Sequence, residues 1–155
     1  MIQRIQTLYL LLAAVFVGLM FAMPIATFSA GGSEMALTAF SVTDTTTPEA
    51  PVTVYNTLYL GILLAVAALV PFITIFLFKR RLLQFRLCFA EIVLLLGSIG
   101  FEIYYISFVK STIDAVIWKI GISASFPLVA LIFVILALRA IARDERLVRS
   151  LDRIR

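Results

Sequence analysis

Glu91 and Glu102 are the residues of this chain whose type and setting could do chemistry, because both fall inside a long apolar run, where an ionised carboxylate is costly without a partner or water. Eleven residues of helix turn through about 1100°, which brings the two side chains back to within roughly 20° of one face and sets them roughly 16 Å apart along the axis. That distance is too long for direct hydrogen bonding or for the paired carboxylates of a glycosidase. Glu91 follows Arg86 by five residues and can snorkel or pair near that end. Glu102 has Tyr104 and Tyr105 close in sequence and needs a tyrosine or serine hydroxyl, Lys110 or a proton. Two roles stay open for the pair: polar packing or partner-subunit binding, and a proton or cation relay along one helix face.

Other chemistry finds no footing. The chain has no histidine, and Cys, Asp and Glu never approach metal-ligand spacing, so no metal site is expected. The serines have no base and orienting group near them in sequence, so neither a catalytic residue nor enzymatic activity is expected, and no cofactor site either. Cys88 is the only cysteine, so no intramolecular disulfide can form.

The elements that must position the two glutamates are apolar runs near 7–28, 56–78, 87–109 and 120–138, each close to the ~20 residues that cross ~30 Å of hydrocarbon as a helix. A hydrophobic content of 63% and a mean hydropathy of +1.10 lie far above those of a soluble domain. Backbone groups at membrane depth must pair within their own segment, and continuous apolar runs argue against a barrel. The expected fold is therefore all-α, a single integral membrane domain over 1–155 built as a four-transmembrane-helix bundle. Its outer loop, 29–55, is open to a small β-hairpin or an irregular course, since Gly31, Gly32 and Ser33 mark a turn and 35–42 and 52–55 are rich in β-forming residues. Val116, Trp118, Ile120 and Ile122 alternate, which fits either a further strand or the fraying start of the fourth helix. Pro127 suits a first helical turn capped by Ser125, whereas Pro24 and Pro71 are expected to kink or end their helices. Gly97, Ser98 and Gly100 mark the third span as a closely packed central helix with a polar interhelical contact.

Basic residues set the orientation. Arg4 precedes the first span, Lys79, Arg80, Arg81 and Arg86 follow the second, and six arginines from Arg139 to Arg155 follow the fourth, whereas 29–55 has none. Both termini are expected in the cytoplasm and 29–55 outside. The connection from Lys110 to Lys119 is only weakly basic. An apolar run this long, with bulky Phe28 near the small residues, fits a retained first span better than a cleaved signal. The net charge of +4 sits beside membrane spans, so anionic lipid headgroups are its expected partners and nucleic acid is not.

The tail from Arg139 to Arg155 repeats apolar residues at Leu147, Leu151 and Ile154 and carries a basic face that includes Arg146, Arg149 and Arg153. With Arg143 these arginines are candidate cytoplasmic docking or lipid-headgroup contacts, on an interfacial continuation of the span or on a docking helix. The tail, together with the opening MIQRIQTLYLLLAA, resembles the family called domain of unknown function 4293. That resemblance implies a four-span inner-membrane protein of a Gram-negative bacterium, and it brings no activity, catalytic residue or ligand. The expected role is a non-enzymatic accessory or scaffold subunit of an inner-membrane assembly, with other membrane subunits or a second copy as partners. The alternative is a small proton- or cation-coupled transporter or channel component that uses Glu91 and Glu102.

Overall fold

A computed structural model describes residues 3–46, 52–77, 80–113 and 117–152, with side chains over 5–46, 52–77, 80–113 and 117–144. In chain order the elements are α1 (Gln3–Leu19), β1 (Ala26–Ala30), β2 (Ser33–Leu37), β3 (Ser41–Asp44), β4 (Val52–Asn56), α2 (Leu58–Phe76), α3 (Arg81–Thr112), β5 (Ile117–Ile120), a 3-10 turn (Ile122–Ser125) and α4 (Phe126–Asp152). The principal contacts run α1 to α2, α2 to α3, α3 to α4 and α4 back to α1, which closes the helices into a ring.

Each helix turns a narrow row of side chains inward. The buried positions are Gln6, Leu10, Ala13 and Val17 on α1, Leu60, Leu64, Ala67, Pro71 and Thr74 on α2, Gln84, Cys88, Glu91, Leu95, Ser98 and Glu102 on α3, and Ala130, Val134, Ala137, Ile141 and Asp144 on α4. Steps of three and four residues keep such a row on one face, the spacing by which antiparallel helices pack side chains in layers. The opposite faces stay apolar and exposed, as at Leu8, Ile62, Phe89, Val93, Ile103 and Ile132. A helix apolar all round is what a hydrocarbon environment asks for.

One end of the ring is tied by polar groups. The Gln6 Nε2 donates to Asp144 Oδ2 at 2.9 Å, Arg81 Nη1 donates to the Asp144 carbonyl at 3.3 Å, and Gln84 Nε2 donates to the Thr74 carbonyl at 3.0 Å. These bonds join α1 to α4, α3 to α4 and α3 to α2. Along the α1–α4 seam Phe16 stacks on Phe133 with centroids 5.8 Å apart and meets Phe126 edge-on at 5.6 Å.

The other end carries an antiparallel sheet in the order β4-β3-β2-β1-β5. Gly31 and Gly32, at φ 59° and 92°, make the two-residue turn that pairs Ala30 with Ser33 and closes the β1–β2 hairpin. Ala26, Phe28, Leu37 and Val42 are buried, while Thr27, Ser29, Glu34 and Lys119 are exposed. On β1 this alternation is that of a strand with one face on a core and the other exposed, whereas the edge strands β4 and β5 are exposed almost throughout. The rings of Tyr55 and Phe108 meet edge-on at 5.4 Å and tie β4 to α3. Beyond β3, Thr46 donates from its hydroxyl and its backbone N–H to Asp44 Oδ1, and these two bonds, in that order of weight, hold the Asp44 carboxyl below its usual range.

The all-α expectation is therefore corrected, since five strands stand beside the four helices. The apolar run at 7–28 does not stay helical to its end. α1 stops at Leu19, Met20 to Ala22 continue it with N–H bonds to Val17, Gly18 and Leu19 carbonyls, and the rest enters β1. Apolar residues facing the core from a strand have the same composition as those of a span. The alternation near 117–120 is a strand, paired to β1 from Ala26↔Ile120 to Ser29↔Ile117. The Ser125 hydroxyl donates to Ile122 and stands inside the 3-10 turn, so it does not cap α4. Pro71 lies within α2, which runs on to Phe76, and Pro24 lies in the irregular link before β1. Lys79, Glu49 and Asp114 fall outside the described residues, as does Val116.

Gly121 crosses closely over the backbone of Pro24 and Ile25 at the sheet end. Its N–H donates to the Ile25 carbonyl at 2.8 Å, and a Cβ there would lie 2.4 Å from the Pro24 oxygen. Gly18 on α1 has open space around it. Gly121→Ala is expected to lower stability by about 1–3 kcal/mol, and Gly18→Ala to raise it by about 0.5–1 kcal/mol, read as unfolding of purified protein in detergent. Equal effects of the two changes would contradict this packing.

Candidate functional site

Glu91 and Glu102 both point into the ring. Glu91 is 1% exposed and Glu102 3%, on the same buried row of α3 as Cys88, Leu95 and Ser98. Neither glutamate reaches the partners that its sequence neighbours suggested. Both carboxyl oxygens of Glu91, and Oε1 of Glu102, have no hydrogen-bond partner, so Glu91 neither snorkels nor pairs with the exposed Arg86. Lys110 places its Nζ 4.2 Å from the centre of the Trp118 ring.

The layers of the core explain where Glu91 fits. Starting from Gln6, Thr74, Gln84 and Asp144 at the polar end, seven residues along each helix lead to Ala13, Ala67, Glu91 and Ala137. Seven residues are about 10 Å of helix, so the four positions share one level. By this count three buried alanines share the level of one buried glutamate, short side chains on three helices beside a long one on the fourth. Farther along the two helices Leu63 Cδ2 lies 3.6 Å from the place of a Cβ on Gly97, which keeps α2 against the same side of α3. Exposed apolar residues on α3 run from Leu82 to Phe108, and Glu91 lies inside that band, nearer the Leu82 end.

Glu102 is in a different setting. It lies eleven residues farther along α3, toward the end where Phe108 meets Tyr55 of β4. Between the two glutamates the core has a layer of Val17, Leu64, Leu95 and Val134, all buried and apolar. Ser98 adds one hydroxyl, which donates to the Leu95 carbonyl at 2.8 Å within its own helix. The polar interhelical contact expected from Gly97, Ser98 and Gly100 is therefore not formed, and α3 is one member of the ring and not its centre. Gly97, Gly100, Phe101 and Tyr104 line an open groove on the outer side of α3.

A family model for a domain of unknown function, DUF4293, matches residues 2–154. The chain belongs to that family. No curated protein matches it. For this DUF4293 chain the arginine cluster is only partly placed. Arg143 is exposed on α4, Arg146 and Arg149 lie on its helical backbone beyond the described side chains, and Arg153 lies outside the described residues. Among the described residues no group of three His, Cys, Asp or Glu side chains gathers as a metal site would require.

The alanine layer was missed by sequence reasoning, which looked for partners of Glu91 along its own helix. The signal was present, because Ala13, Ala67 and Ala137 each sit on the buried row of their helix. An unpaired buried polar group costs about 1–3 kcal/mol. Glu102→Met, which keeps the volume and removes the orphaned Oε1, is accordingly expected to raise unfolding stability in detergent by about that amount. Ala137→Leu, which overfills the Glu91 layer, is expected to lower it by about 1–3 kcal/mol. A destabilising Glu102→Met would show that its carboxyl has a structural partner.

Proposed function

We propose that this DUF4293 chain is a multi-pass protein of the bacterial inner membrane and serves as a non-enzymatic accessory or scaffold subunit there. The observation that carries the reading is the ring of helices with apolar outer faces, closed at one end by a sheet whose far face is polar. α2, α3 and the stretch Ile122–Asp144 are long and apolar enough to cross a membrane, while Ile5–Leu19 is shorter and is lengthened by the turn through Ala22. Tyr59, Tyr104 and Trp118 stand exposed towards the sheet end, where aromatic side chains favour a headgroup boundary. With Arg80, Arg81 and Arg143 at the opposite end, the sheet lies outside and both termini lie in the cytoplasm.

The partners of this reading are lipids and other membrane subunits or a second copy, not nucleic acid. The groove at Gly97 and Gly100 supplies a place where a neighbouring helix can approach closely. A second reading, proton- or cation-coupled movement, is favoured by the orphaned carboxyls of Glu91 and Glu102. It requires the Val17, Leu64, Leu95 and Val134 layer to open and admit water.

Topology is tested by single-cysteine labelling in a Cys88→Ser background, with an impermeant maleimide expected to modify Asp44→Cys from outside and Arg143→Cys only after the membrane is opened. The reverse pattern would overturn the orientation. Crosslinking and mass spectrometry after gentle detergent extraction tests the subunit role, for which a reproducible membrane neighbour is expected and a monodisperse chain without one counts against it. Proton or cation flux in vesicles that is lost in Glu91→Gln, with assembly retained, would favour the second reading.

A further inference from the structure

The alanine layer, the unpartnered carboxyl and a proline one turn away combine into a site. Pro71 has no N–H, so the Ala67 carbonyl, four residues earlier, has no donor from its own helix. Ala67 is fully buried, and a count of seven residues along each helix from the Gln84–Thr74 bond places it at the level of Glu91 on the neighbouring helix. An acceptor without a donor therefore sits in the same layer as a carboxyl without a partner. Two such acceptors repel until a proton lies between them.

We propose that Glu91 is a proton-binding site in the middle of the helical core, where the carboxylate takes up one proton and the resulting O–H donates to the Ala67 carbonyl that Pro71 leaves free. One O–H bond forms, the charge is neutralised, and both orphaned groups gain a partner. The surroundings favour a proton over a metal cation. Calcium takes about 6–8 oxygen ligands, and this layer offers one carboxyl and one carbonyl among three alanine methyls. The groups facing Glu91 are otherwise free of charge. The buried residues one turn to either side on α1, α2 and α4 are leucine, valine, isoleucine and proline, and the titratable groups near the layer among the described residues are Cys88 on its own helix and the half-buried Tyr9 of α1, whose ring stacks on Phe133.

The site depends on the helical core alone, so it stands whether or not the subunit reading holds. Infrared spectroscopy of the full chain in phospholipid vesicles at neutral pH tests it. The wild type is expected to show a carboxylic acid carbonyl band that is lost in Glu91→Gln, kept in Glu102→Gln, and moved without being lost in Glu91→Asp. The last variant separates removal of the acid group from misfolding. Pro71→Ala returns an N–H to the Ala67 carbonyl and is expected to shift the same band. A spectrum unchanged by Glu91→Gln, or carboxylate bands from Glu91 that move on adding sodium or calcium, would overturn the proton site. A band lost in Glu91→Gln but unmoved by Pro71→Ala would overturn the Ala67 pairing.

Discussion

The shared register of the four buried rows is the constraint on which the rest of the molecule depends. It is set where Gln6 meets Asp144, Gln84 meets the Thr74 carbonyl and Arg81 reaches the Asp144 carbonyl. In the membrane proposed for this chain the hydrophobic effect would not drive helices together, so steric fit and a few hydrogen bonds would choose the register. A slip of one residue on any helix would swing its buried row out of the core, because successive residues point about 100° apart. Once the polar end is set, every layer above it follows, including the one that places three alanines around Glu91.

The sheet completes what the helices leave open. Four antiparallel helices would end on this side with unpaired backbone and exposed apolar side chains. The strands bury Phe28, Leu37 and Val42 against that end and pair their own backbone in an antiparallel ladder. Close crossings hold the ladder to the helices. The Ser123 hydroxyl donates to the Pro24 carbonyl at 2.6 Å, and the Thr57 N–H donates to the Phe40 carbonyl at 2.9 Å. The two connections thereby form one cap, although 99 positions separate Pro24 from Ser123.

The four helices were legible because a long apolar run is a strong and local signal, and the Gly31–Gly32 turn was legible for the same reason. The sheet was only half legible. Its β5 partner lies far along the chain from β1, and a strand with one buried face and apolar ends merges into the spans on either side. The common face of Glu91 and Glu102 followed from helical geometry, and their burial agrees with it. Their surroundings did not follow, since the layer around Glu91 is built from three other helices. Finding it required the register that Gln6, Thr74, Gln84 and Asp144 establish. The apolar layer between the glutamates was hidden in the same way, with Leu95 the one member that belongs to their helix.

Paired-cysteine crosslinking tests this register most directly. In a Cys88→Ser background, Ala13→Cys with Ala137→Cys places two thiols in the Glu91 layer on neighbouring helices, and Ala13→Cys with Ala130→Cys sets them about 10 Å apart along the axis. Mild oxidation in native membranes is predicted to join the first pair rapidly and to leave the second unjoined. Rapid joining of the second pair, with the first unreactive, would contradict the layered core and the place it gives Glu91.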